Sequence, residues 1–364
     1  MPSPVARLID FHQSPWYDNL TRALATGGLR VLVEEHGIRG VTSNPTIFEK
    51  AMGSGSDYDD ELRALARGGR PVDEIYWTMV KRDIADAADL LRPKFEEWDD
   101  GDGVVSIEVD PDLARDTAAT IAQARELFTD LDRPNVMIKI PATAEGLPAI
   151  TESIAAGINV NVTLIFALDR YRAVIDAYLG GLERRVAAGH DVSRVLSVAS
   201  FFVSRVDTET DRRLPDGHPL RGKAAVANAK LAYQLFLEAF AGPRWDPLAA
   251  KWARMQRPLW ASTSTKNPQY SPTLYVDELI GPETVNTLAQ ASLDALANGE
   301  GRLRANSVLE DVAAAQAVID GLADAGIDFA DVTDTLEREG VASFSASYHD
   351  ALTTLDKKAR ELRT

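Results

Sequence analysis

The stretch NVMIKIPATAEGLPAITESIAAGINVNVTLIF, residues 135–166, decides the fold. Its two ends are short runs dense in Val and Ile, and the segment between them repeats its apolar positions at helical spacing. Strand, helix and strand in so short a span make a βα unit, whose two strands run parallel in one sheet. Strands of a parallel sheet are buried on both faces and are expected to be almost continuously apolar. These two are not, and their departures keep strand parity. Lys139 lies opposite Ile138 and Ile140, while Asn159, Asn161 and Thr163 share one face and Val160, Val162 and Leu164 the other.

The same unit recurs along the chain. Strands are predicted at 15–19, 40–45, 104–110, 136–142, 158–166, 195–203, 258–264 and, with the weakest pattern, 284–288. Helical segments separate them, among them ARDTAATIAQARELF after the third strand, LDRYRAVIDAYLGGLERRVAAG after the fifth and GKAAVANAKLAYQLFLEAFAG after the sixth. Eight such units point to an α/β fold of the closed (β/α)8 TIM-barrel class, in a single domain spanning 1–364. An open doubly wound sheet would instead carry a glycine-rich turn after its first strand. The nearest candidate, MGSGSDYDD, follows no strand and reads as a connection. A helical insertion is expected at about 51–103, a surface loop at 214–223, and a helical extension at about 303–364 that covers the outside of the barrel or its mouth.

With 364 residues, 45% hydrophobic and 26% charged, the chain has ample material for a core. Its net charge of −16 repels nucleic acid and anionic membranes, so an anionic substrate needs a locally cationic pocket. Cysteine is absent, which excludes disulfides, Cys-ligated zinc, iron–sulfur clusters and thiol nucleophiles. No basic segment followed by an apolar run opens the sequence, and no apolar run is long enough for a bilayer, so a cytoplasmic setting is expected.

In a barrel, the C-terminal ends of the strands carry the active site. Asp18, Asn44, Glu108, Lys139, Asn161, Thr163 and Ser200 are expected to converge there. A single buried Asn or Ser is ordinarily a satisfied core hydrogen bonder, and the bland reading of Lys139 and Glu108 is a structural ion pair. Repetition decides against it: consecutive strands place polar groups at matching depth, which packing alone does not require. Burial disfavours the charged form of an amine, and a neutral amine attacks a ketone to give a Schiff base whose iminium draws electrons from an adjacent C–C bond. No cofactor is needed for that chemistry. The five histidines form no H-x-H or H-x-x-x-H pair, which disfavours a metal-dependent aldolase. Lys223 and Lys230, on a helix, are expected to face solvent.

In this order, GVTSNPTIFEKA, SIEVDP, MIKIPAT, GINVNVTLIF and WASTSTKNP resemble the motifs of the transaldolases of the pentose phosphate pathway, over roughly Gln13 to Leu288. The resemblance implies a class I aldolase barrel. Its reaction moves a dihydroxyacetone unit from sedoheptulose 7-phosphate to glyceraldehyde 3-phosphate, giving erythrose 4-phosphate and fructose 6-phosphate. It implies Lys139 as the Schiff-base lysine and Asp18, in WYDN, as the acid/base for the C4 hydroxyl. Glu108 and Thr163 would hold the water of dehydration and hydrolysis, Asn44 and Asn161 would bind hydroxyls of the retained unit, and Ser200 would assist. Arg205, in FFVSRVD, matches the phosphate-binding arginine. After the seventh strand, where many members carry a second Arg, this chain offers Lys266, which keeps the charge and loses the bidentate fork. Ser262 and Ser264 are candidates to support it.

The implied partners are sugar phosphates only, with the chain a monomer or homodimer. Transfer further requires an enamine kept from water until an aldehyde arrives. Two rivals remain: a Schiff-base aldolase that cleaves fructose 6-phosphate without transfer, and a silent sugar-phosphate binder. The pairing of TSNP with WYDN fits the transferase pattern, and the intact set Lys139, Glu108, Asp18 and Thr163 stands against silence.

Overall fold

The structure, a computed structural model, describes residues 3–98 and 101–363. Eight parallel strands close into a barrel: β1 (Gln13–Tyr17), β2 (Gly40–Thr42), β3 (Val104–Glu108), β4 (Val136–Pro141), β5 (Val160–Ile165), β6 (Ser197–Phe202), β7 (Arg257–Ala261) and β8 (Thr284–Leu288). Neighbours in sequence are neighbours in the sheet, and β8 pairs with β1 from Gln13↔Thr284 to Tyr17↔Leu288. This is the (β/α)8 architecture that the strand–helix alternation predicts.

Local chemistry sets the boundaries. β2 stops at Thr42, short of the expected 45, because Asn44 and Pro45 begin a helix, Pro45–Gly53. Proline at the first helical position has a fixed φ suited to the turn, and the Asn44 side chain caps it. The sixth βα connection carries an additional helix, Ser204–Arg213, before Ala224–Ala239. Between β2 and β3 lie Asp59–Arg67 and Val72–Glu97. The C-terminal segment is interrupted: Val312–Asp324 ends near Gly326, whose φ of 78° breaks the run, and Asp328 restarts it by accepting from the Ala330 and Asp331 amides. The final helix, Phe329–Arg363, spans 35 residues.

The N-terminal end of the barrel is plugged by charge. Asp102, fully buried, accepts from Ser14 Oγ at 2.5 Å, Trp16 Nε1 at 2.9 Å, Arg257 at 3.0 Å and Arg39 at 3.2 Å. Gly40 makes room for this plug, since a Cβ there would stand 2.6 Å from the Trp16 indole.

One expectation fails on the outer helices. Lys223 is exposed, but Lys230 is buried, its Nζ donating to the Glu310 carbonyl at 2.9 Å and pairing with Glu278 at 3.6 Å. Its helix is packed on two sides, so helical periodicity alone could not place its charge.

Candidate active site

At the C-terminal ends of the strands the inward-facing polar residues meet. Glu108 on β3 is the register partner of Lys139 on β4, which in turn partners Asn161 on β5. In-register residues share a face, so carboxylate and ammonium touch: Lys139 Nζ lies 3.1 Å from Glu108 Oε2, both side chains almost wholly buried. Nζ also donates to the Ser43 carbonyl at 3.0 Å, and the Phe344 ring lies over it with its centroid at 5.8 Å. Burial raises the Glu108 carboxyl above its ordinary value, Lys139 draws it back, and the charge of Asp18 adds to the rise. Beyond the ion pair, Oε2 accepts no hydrogen bond among the described residues.

Beneath the ion pair runs a chain of hydrogen bonds. Ser200 Oγ donates to Asn161 Oδ1 at 2.7 Å, and Asn161 Nδ2 donates to Ser106 Oγ at 3.0 Å, linking β6, β5 and β3. Further along β5 the register shifts between Val162 and Ile165, and Leu164 sits at φ 59°, in the left-handed region. A bulge of this kind re-aims the side chains beside it. Thr163 borders the cavity with a buried hydroxyl that has no hydrogen-bond partner among the described residues.

On the opposite wall, Asp18 follows β1, its amide donating to the Leu288 carbonyl at 3.0 Å, and its Oδ1 accepts from Thr42 Oγ1 at 2.7 Å. Asn44 is extended, at φ −157° and ψ 167°, and its Oδ1 accepts from the Ile47 amide at 3.0 Å. Its amide nitrogen makes no hydrogen bond among the described residues and is left for a ligand.

The cationic side of the mouth is built from the sixth and seventh loops. Arg205, in the first turn of Ser204–Arg213, stacks over the Phe202 ring at 5.3 Å. Burial lowers its pKa, against the pull of Asp18 and Glu339. Among the described residues its guanidinium makes no hydrogen bond. Lys266 is exposed on the loop after β7. That loop is tied to the Arg205 helix by Tyr270, whose hydroxyl donates to Asp211 at 2.6 Å, and by Tyr275, which donates to Asp207 at 2.8 Å.

Asp207 carries a pH dependence of its own. Burial raises its carboxyl from an ordinary 3.8 to about 6, while bonds from the Ala225 amide and Tyr275 oppose the shift. A folded-state value above the unfolded one means that the folded chain holds the proton more tightly. The resulting stabilisation is complete below about pH 4 and is lost as pH rises through about 6. Asp207→Asn keeps an oxygen for the Ala225 amide without the charge, so its stability relative to the parent is expected to improve by on the order of 3 kcal/mol between about pH 4 and pH 8. Denaturant midpoints at the two pH values measure it; a difference that ignores pH would refute the shift.

These walls enclose a cavity of about 320 Å³ bordered by Asp18, Asn44, Lys139, Thr163, Ser200, Arg205 and Lys266. A family model described as Transaldolase/Fructose-6-phosphate aldolase matches residues 15–355. The chain belongs to the transaldolase/fructose-6-phosphate aldolase family. It is 52% identical to the transaldolase of Acidothermus cellulolyticus, over all of this chain and 99% of that protein. It is 51% identical to the transaldolase of Thermobifida fusca over the same shares, and 50% identical to transaldolase 1 of Streptomyces coelicolor over 96% of this chain and 93% of that one.

Of the residues that the family motifs single out, Glu108 and Asn161 stand one layer behind the cavity wall, Glu108 through its contact with Lys139 and Asn161 through Ser200. Ser262 and Ser264 border the cavity; Ser262 Oγ lies 2.9 Å from Ser204 Oγ, and Ser264 Oγ lies 3.1 Å from Ser292 Oγ. Sequence reasoning missed Thr42, Thr46, Lys50, Ser343 and the covering position of Phe344. Thr42 is the first residue of TSNP, and Thr46 and Lys50 follow within the quoted GVTSNPTIFEKA; membership of that motif was the available signal.

Proposed function

We propose that this chain is a transaldolase that carries a dihydroxyacetone unit from sedoheptulose 7-phosphate to glyceraldehyde 3-phosphate through a Schiff base on Lys139. One observation carries the reading: a lysine ammonium buried at the C-terminal end of a barrel strand, ion-paired at 3.1 Å and bordering a polar cavity. Two charges in so dry a wall cost desolvation. Passing a proton from Lys139 to Glu108 neutralises both, and the raised carboxyl makes that transfer less uphill than in water. The freed amine attacks the donor's C2 carbonyl. The Thr163 hydroxyl relays one proton from the adduct's nitrogen to the carbinolamine oxygen, Glu108, now an acid, gives the second, and the oxygen leaves as water with the iminium behind it.

The iminium then receives the electron pair of the C3–C4 bond as Asp18 takes the proton of the C4 hydroxyl. Thr42 fixes the Asp18 carboxylate for this transfer. An aldose phosphate leaves, an aldehyde acceptor enters, and the steps run in reverse. Arg205 and Lys266 offset the chain's negative field at the phosphate end, the lysine as a point charge without the directional fork of an arginine. Ser200, held in place by Asn161 behind it, and the Asn44 amide nitrogen orient the hydroxyls of the retained unit. The setting is cytoplasmic on this reading; no described helix is long and apolar enough to cross a membrane.

Incubation with fructose 6-phosphate followed by borohydride tests the mechanism. The peptide containing Lys139 is expected to carry a reduced dihydroxyacetone adduct, and erythrose 4-phosphate is expected to draw the unit into sedoheptulose 7-phosphate. An absent adduct would overturn the covalent mechanism. An adduct without acceptor-dependent product would assign the chain to simple aldol cleavage.

A further inference from the structure

The last helix, Phe329–Arg363, crosses the mouth of the barrel and is fastened on both sides of the cavity. Before the crossing, Gly340 lies flush against Leu164, so closely that a Cβ would stand 2.9 Å from Leu164 Cδ2. After it, Ser347 Oγ lies 2.8 Å from Thr46 Oγ1, and His349 Nε2 lies 2.9 Å from Asp112. Lys358 donates to the Met52 and Gly55 carbonyls, each at 3.0 Å. Between these fastenings hangs Phe344, 4% exposed, its ring over Lys139. It brings an apolar face to a cavity wall otherwise rich in hydroxyls, a carboxylate and cations.

We infer that Phe344 is a specificity-determining residue: by covering the lysine nitrogen it keeps water from the enamine and so directs the three-carbon unit to an aldehyde rather than to release. The inference rests on the transaldolase reading, because it requires an enamine on Lys139. Two fates compete for that enamine. In transfer, its nucleophilic carbon attacks the acceptor aldehyde, a C–C bond forms, and the aldehyde oxygen takes a proton from Asp18. In leakage, the same carbon takes a proton from water, hydroxide adds at C2, and the C–N bond breaks to give free dihydroxyacetone and the amine. No oxidant or further reactant enters either path. Both begin from one intermediate, so their ratio reports access of water and not the rate of donor binding.

The partition is measured as glyceraldehyde 3-phosphate released from fructose 6-phosphate without acceptor, relative to sedoheptulose 7-phosphate formed with erythrose 4-phosphate. Phe344→Ala is expected to raise that ratio roughly tenfold, which corresponds to about 1.4 kcal/mol between the two barriers. Phe344→Leu, which keeps an apolar cover and guards against misfolding of the alanine variant, is expected to stay within about threefold of the parent, under 1 kcal/mol. A ratio unchanged in Phe344→Ala, or as high in the leucine variant as in the alanine variant, would overturn the inference. Borohydride trapping of both variants keeps the two readings apart: loss of the adduct from the parent chain refutes the Schiff base, whereas an adduct with an unmoved ratio refutes only the role of Phe344.

Discussion

Replacing Lys139 with alanine is expected to lower transfer by at least about 10⁴-fold, the scale on which removal of a covalent nucleophile acts. Two other lysines border the cavity, Lys50 and Lys266, and both are exposed, without a buried carboxylate beside them such as Glu108 beside Lys139. The stability of the variant is expected to depend on pH. Without the ammonium, Glu108 is a buried carboxyl lacking its cation, and burial already lifts it above an ordinary 4.5. A folded-state value raised further leaves the variant close to the parent near about pH 5 and weaker by on the order of 3–5 kcal/mol near pH 8. Adding Glu108→Gln is expected to remove that pH dependence while leaving activity absent. Rates and urea denaturation at both pH values test the pair; transfer within about a hundredfold of the parent would show that another group carries the substrate.

Asp102→Ala is expected to cost on the order of 3–5 kcal/mol of stability, the usual scale for removing one partner of a buried charge cluster. Arg257 and Arg39 converge on this carboxylate, and Ser14 and Trp16 donate to it from β1. Alanine leaves a buried guanidinium facing a void at the barrel's N-terminal end. The cluster lies at the end opposite the cavity, so kcat per folded molecule is expected to hold while the denaturant midpoint falls. A loss below about 1 kcal/mol would mean that solvent reaches the guanidinium and replaces the carboxylate.

The parts legible in sequence are those written in strand parity. Parallel strands at successive positions in a closed sheet bring Glu108, Lys139 and Asn161 into register, and a period of two sufficed to find them. β8, the weakest pattern, falls at the expected residues 284–288. Strand ends were less legible because caps and bulges decide them: Asn44 ends one strand by capping a helix, and Leu164 distorts another through its backbone angle. The helix Ser204–Arg213 was hidden because its inner face holds Asp207, Glu209 and Asp211, which an apolar period cannot reveal. Phe344 lies in the helical extension that is expected to cover the outside of the barrel or its mouth. Its place over Lys139 depends on the crossing path of the whole helix, which no local pattern encodes.

Closure of β8 onto β1 joins residues 13–17 to residues 284–288. Until a ribosome has delivered that last strand, β1 has an unsatisfied backbone edge, an invitation to pair with a neighbouring nascent chain. Contacts so distant in sequence also slow folding. Chaperone demand during synthesis is therefore expected to peak while the chain is nearly complete but still open, and to drop once the eighth strand emerges.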